Sequence, residues 1–218
     1  MDFWHMNPLN VFLAGGPIMW PILFASVWAL AIIIEKILYL RRIKVDTDEF
    51  LKKILVKMKQ QKIKEAFLDC DATPSPIGKI LKAGILKYGR SREEIKEALE
   101  DASLYEIPVL EKNLNVLATI ASVAPLLGLL GTVVGMVNCF QIIQLKATSV
   151  RPVSPGDLAG GIWEALLTTV AGLVVAIPTF LAYNYLVSKV NNLILEMERA
   201  SVELVNFLTD QKNNGERA

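Results

Sequence analysis

Three stretches of this chain lack the polar positions that every soluble amphipathic element carries. Between residues 3 and 34 the only titratable side chain is His5, residues 113–145 carry no charge, and residues 158–188 carry one, Glu164. A run of about eighteen or more such residues reads as a membrane-spanning helix, because a hydrocarbon core about 30 Å thick needs roughly 20 residues rising about 1.5 Å each. A soluble protein of 218 residues could hardly hide three helices this long. The pattern therefore predicts an all-α membrane protein with three transmembrane helices. Basic residues follow the first apolar run (Lys36, Arg41, Arg42) and none precedes it, the reverse of a cleavable signal, so this helix is expected to be retained.

The polar segments also read as helical. A polar–apolar pattern marked by Ile54, Met58 and Lys62 runs through residues 50–68 and ends at the turn Thr73-Pro74-Ser75-Pro76. Ser91 followed by Glu94 is a capping box that opens a helix over 92–106. Pro108 then reads as a kink rather than a stop, because Leu110, Leu114 and Leu117 keep the helical spacing. On that reading the second span and the residues from Glu93 form one long bent rod, and the last helix extends likewise through Glu196 and Glu203. The sequence Ser154-Pro155-Gly156-Asp157 supplies a cap, a first-position proline and an acid three residues after the cap, so the third spanning helix should begin there.

The expected map is an extracytoplasmic segment 1–15, a first span 16–40, a cytoplasmic helical region 41–112, a second span 113–145, an extracytoplasmic turn 146–156, a third span 157–187 and a cytoplasmic helix and tail 188–218. Orientation comes from charge. Of 23 basic residues, 17 lie between Lys36 and Lys112 and four follow Ser188, whereas the connection between the second and third spans holds only Lys146 and Arg151. The long loop weakens such a count, yet the residues nearest the membrane agree, with Lys36, Arg41, Arg42 and Lys44 after the first span and Lys112 before the second. The N-terminus is expected outside, and the large loop and C-terminus in the cytoplasm.

Composition excludes more than it suggests. With 23 basic and 22 acidic residues, nothing favours nucleic acid. Cys70 lies in the charged region and Cys139 in an apolar helix, and neither has neighbours at metal-ligand spacing. The chain has no phosphate-binding glycine loop, HExxH or GxSxG, so an enzyme is not expected, nor a metal or cofactor.

Glu164 is the sharpest signal. A charge within a span costs at least about 2.5–3.5 kcal/mol, so this carboxyl should face a protein interior or a wet cavity, where it can pick up and release protons. The bland alternative is an acid near the outer interface that snorkels or caps a neighbour. On a helix Thr168 shares the face of Glu164, and Thr169 points about 140° away. With Thr132 in the second span, these hydroxyls can pass a proton or bind water, since each both donates and accepts. Each could equally bond the backbone carbonyl one turn back. Small residues recur at three- and four-residue spacing: Ala121, Ala124, Gly128, Gly131 and Gly135 in the second span, and Gly161, Ala165, Thr168 and Gly172 in the third. Such rows allow close helix packing in lipid. Pro125 and Pro178 would bend the spans or free a carbonyl. Glu35 and the tryptophans Trp4, Trp20, Trp28 and Trp163 read as interfacial, and His5 has no evident role. Three helices give little room for a hydrophilic path, so a pore-like use of Glu164 implies several copies. A structural scaffold, in which Glu164 pairs with a partner and no ion moves, is the rival class. A solute transporter is weaker, because inverted repeats are missing.

Residues 117–136, LATIASVAPLLGLLGTVVGM, resemble the second span of the ExbB/TolQ proton-channel family, to which MotA is more distantly related. Residues 160–169, GGIWEALLTT, with Ala171-Gly172-Leu173 and Ala176-Ile177-Pro178, resemble its third. The resemblance implies a homopentamer around a central pore that holds the single spanning helices of an ExbD- or TolR-like partner. It implies that proton entry drives rotation of one ring against the other, energising a TonB- or TolA-like protein in the bacterial inner membrane. Glu164, Thr132 and Thr169 match the family's polar pore residues, whereas helical geometry alone favours Thr168 as the neighbour of Glu164. Both threonines stay open as pore candidates at this point.

Overall fold

The computed structural model describes residues 12–147 and 155–215. Trp4, His5, Arg151, Pro152 and Ser154, with most of segments 1–15 and 146–156 and the side chain of Asp157, lie outside the described residues. Within them all regular structure is helical: α1 (Met19–Arg42), α2 (Thr47–Lys59), α3 (Ile63–Ala72), α4 (Pro76–Leu86), α5 (Arg92–Glu111), α6 (Leu114–Ala147) and α7 (Pro155–Gly215). Three helical stretches, built on α1, α6 and α7, are long and apolar enough to cross a membrane. With 24 residues, α1 is about 36 Å long, and α6, with 34, about 51 Å, against a hydrocarbon core of about 30 Å. The chain divides into two compact units, residues 12–35 with 113–147 and 155–185, and residues 36–112 with 186–215.

In the first unit the backbones of α6 and α7 come together along the small residues. Much of the remaining surface is apolar, with Leu126, Leu129, Phe140, Val174 and Leu181 all exposed. In water such a surface would be an aggregation hazard, and in a bilayer it is the ordinary exterior. Pro125 and Pro178 both lie inside helices that continue past them, so the carbonyls of Ala121 and Val174 lose their helical donors. At the other end of this unit the Asn113 side-chain amide donates to Glu35 Oε2 at 3.2 Å.

The second unit has an ordinary buried core, formed by Ile54 and Met58 of α2, Ile77, Ile80 and Leu81 of α4, Ile95 of α5 and Leu186, Val190 and Leu204 of α7. Polar ties hold α7 against it: Thr47 Oγ1 donates to Glu196 Oε2 at 3.0 Å, and Arg92 to Asn206 Oδ1 at 2.9 Å. The capping box at the start of α5 is complete, with Glu94 N donating to Ser91 Oγ at 3.2 Å and Ser91 N to Glu94 Oε1 at 3.4 Å. Asp69 takes ion pairs from Lys57 at 2.7 Å and Lys53 at 3.1 Å. The hydrogen bond from Lys57 is the main reason its carboxyl is held below the usual carboxylate range, with Lys53 adding to it and partial burial opposing. Next to it, burial pushes the Cys70 thiol up to about 12. Both cysteines are free and buried.

Two helical expectations are corrected here. The pattern read through residues 50–68 is two helices, because α2 ends in a Schellman turn. Gln61 takes the left-handed φ of 62°, Lys62 N donates to Lys57 O at 3.0 Å and Gln61 N to Met58 O at 3.1 Å. A glutamine in that position gives little sequence warning, since glycine is the usual signal. Nor does one rod bend at Pro108 on its way into the second span. Pro108 sits inside α5, and the helix stops at Glu111, with Lys112 extended (φ −47°, ψ 136°) and Asn113 at φ 66°. Asparagine tolerates that left-handed conformation better than most residues. The stop leaves the last carbonyls of α5 without helical donors, and the buried Lys36 ammonium donates to one of them, Val109 O, at 3.2 Å.

Candidate functional site

Nine residues past Pro155, about 14 Å along α7, lies the one acid of the third apolar stretch. Glu164 is half-buried. Its carboxylate rests on the backbone of Gly16, three residues before α1 begins, where a methyl group would overlap Oε1. The acid therefore lies level with the entry into α1, toward the N-terminal end of that helix rather than its middle.

Beside it runs the contact between α6 and α7. Gly128 lies under Thr168 and Thr169, so that an added Cβ would stand 2.9 Å from Thr168 O and 3.0 Å from Thr169 Cα. Gly131 lies under the Thr168 side chain, and a Cβ added at Gly135 would stand 2.9 Å from Ala165 Cβ and 3.0 Å from the carbonyl of Gly161. Gly172 faces Ala124 O, where a Cβ would come to 2.6 Å. All six packing residues taken from the sequence (Gly128, Gly131, Gly135, Gly161, Ala165 and Gly172) thus meet along one seam. Close backbone approach is what lipid-embedded helices use in place of a hydrophobic driving force.

The hydroxyls divide by their place relative to this seam. Thr168 is 1% exposed, and its Oγ1 donates to Ala165 O at 2.7 Å with a longer contact of 3.4 Å to Gly128 O. Thr169 is half-buried at the seam's edge and donates across it to Gly128 O at 3.1 Å. Thr132 is half-buried and donates to Leu129 O of its own helix at 2.7 Å. Every one of these protons goes to a backbone carbonyl, which leaves the oxygens of Thr132 and Thr169 able to accept from water or a partner. Thr168 is closed off from both.

Two neighbours escaped the sequence reading. Cys139 closes the seam over Gly161 near the start of α7, and its thiol reaches Leu158 O at 3.6 Å. Gly16, with φ 69°, makes the room that Glu164 occupies. The Gly15-Gly16-Pro17 run signals a turn before the first span and could have marked it. Among the described residues no group of three or more His, Cys, Asp or Glu is placed to hold a metal ion.

Fold and site together define a polytopic all-α membrane protein whose long apolar helices pack through glycine and carry a single acid beside that packing. The model of the MotA/TolQ/ExbB proton channel family matches residues 72–199, and the chain belongs to that family. It is 31% identical to a biopolymer transport protein ExbB homolog of Methanothermobacter thermautotrophicus, over 93% of this chain and 69% of that one. It is 44% identical to the Tol-Pal system protein TolQ of Haemophilus influenzae, over 39% of this chain and 36% of that one. Among solved structures, a chain from the structure of C. jejuni MotAB superposes with a TM-score of 0.64 at 18% identity, over 95% of this chain and 82% of that one, a likeness of fold. The chain is accordingly a multi-pass inner-membrane protein of the proton-channel and stator class, not an enzyme.

Proposed function

We propose that this chain is the ring-forming subunit of a proton-driven stator, a homopentamer whose pore holds an ExbD- or TolR-like single-span partner. Proton entry through the pair energises a TonB- or TolA-like protein. The N-terminus and the turn at 146–156 face the periplasm, and the regions 41–112 and 188–218 face the cytoplasm, as the partition of basic residues argues. Family membership supports this reading, as do relatives named for biopolymer transport and for the Tol-Pal system.

The observation that carries it is Glu164, the lone charge between residues 158 and 188, half-buried against protein beside the α6–α7 seam. Glu164 shapes the electrostatics of the path and relays protons, with the open acceptor oxygens of Thr132 and Thr169 lining it. Thr168 belongs to the packing rather than to the path, because its proton goes to Ala165 O and its oxygen is buried in the seam. The main proton carrier resides on the partner, so the chain expressed alone assembles and conducts little. Co-expression with the partner tests the assignment. Glu164→Ala abolishes coupled activity while the oligomer survives purification, and unaltered activity would contradict the proposal.

A further inference from the structure

Gly16 lies outside both family-like motifs, yet it touches the one acid on which the proposed function depends. Its φ of 69° belongs to the left-handed region, which an L side chain adopts only at a cost. A Cβ built on this backbone points straight into the Glu164 side chain, at 3.0 Å from Cδ and 3.6 Å from Cγ, and overlaps Oε1. The missing side chain is therefore the space the carboxylate fills. The contact is made by backbone on one side and the terminal atoms of Glu164 on the other, so any atom added at position 16 acts on the position of the carboxylate. We propose that Gly16 is a positioning residue for Glu164, one that fixes where the proton-path acid presents its oxygens.

This rests on the reading of Glu164 as the acid of the path, and the test separates the two. Gly16→Ala forces the carboxylate aside by more than about 1 Å, and misplacing a reacting group by about 1 Å costs up to roughly a hundredfold in rate. Proton flux through the chain with its partner, in vesicles, should therefore fall roughly tenfold to a hundredfold. Glu164→Asp, which withdraws the carboxylate by one methylene, lowers flux on its own. In Gly16→Ala/Glu164→Asp the shorter acid clears the new methyl, and flux holds at the level of Glu164→Asp alone. A positional role requires that the two losses do not add, whereas simple backbone strain at position 16 would lower flux further in the double variant. Wild-type flux in Gly16→Ala, or a double variant well below Glu164→Asp alone, would overturn the proposal.

Cross-linking decides the matter where Gly16→Ala does not assemble. The 3.6 Å from a Cβ at position 16 to Glu164 Cγ leaves the two β-carbons near disulfide range. The pair Gly16→Cys/Glu164→Cys, with Cys70 and Cys139 replaced by Ala, should form an intramolecular disulfide on mild oxidation, and failure to do so overturns the contact itself. If Glu164→Gln leaves flux unchanged, the proton-path reading falls, and the cross-link still reports whether the contact exists.

Discussion

Replacing Gly172 with alanine tests the α6–α7 seam where it has least room to give. The new Cβ would lie 2.6 Å from Ala124 O and 3.2 Å from both Cα and N of Gly128. All three are backbone atoms of α6 and cannot rotate aside. Reaching an ordinary contact of about 3.4 Å at Ala124 O means moving the helices about 0.8 Å apart, since 3.4 less 2.6 is 0.8. A gap of 0.5–1 Å forfeits about a quarter to a half of the attraction of each affected atom pair. The same motion stretches the Thr169 Oγ1 to Gly128 O bond from 3.1 Å toward 3.9 Å, beyond hydrogen-bond range. Overpacking of this kind costs about 1–3 kcal/mol. Gly160→Ala is the matched control, because nothing lies within 4 Å of a Cβ there. Thermal unfolding in detergent, followed by tryptophan fluorescence, should show Gly172→Ala melting well below wild type and Gly160→Ala melting at or slightly above it. Equal melting temperatures for the two variants would refute close backbone packing as what holds the seam.

Three further outcomes follow from the second unit. Gln61→Gly should raise stability by about 1 kcal/mol, because glycine relieves the left-handed strain that closes α2; an unchanged or lower melting temperature would show that the strain is absent. Lys36→Met should cost about 1.5–3 kcal/mol, the range for a hydrogen bond from a charged donor, since Val109 O loses the ammonium that caps α5; wild-type thermal stability would contradict that role. The depressed carboxyl of Asp69 contributes stability that is present above its unfolded value of about 3.9 and is lost as pH falls through its lower folded value. Asp69→Asn should therefore lower the melting temperature at neutral pH and flatten its decline below about pH 4, and an unaltered acid limb would dismiss the pairing.

The amount of this that could be read from residues alone varied by element for physical reasons. Spanning helices are set by uninterrupted apolar runs, and the seam by glycines at three- and four-residue spacing, so both were legible. The capping box at Ser91 and Glu94 was legible because its two residues lie within one turn. Helix ends that rely on Gln61 and Asn113 in place of glycine were not, since neither residue forces a left-handed turn and only the surrounding packing selects it. The threonines show a different limit. Helical spacing paired Thr168 with Glu164, but the face they share is the one that packs on α6, so Thr168 ends buried against Gly128 and Gly131 while Thr169 keeps the seam's edge. Gly16 stood too far away in sequence for any local pattern to join it to Glu164.

Proton flux into vesicles containing the chain and its single-span partner, under an imposed membrane potential, tests the central claim most directly. Wild-type complex should acidify the lumen, and Glu164→Gln, a near-isosteric change that removes only the titrating group, should reduce that flux to the level of protein-free vesicles. If the glutamine variant carries protons as fast as wild type, Glu164 is a structural residue and the ion path runs elsewhere.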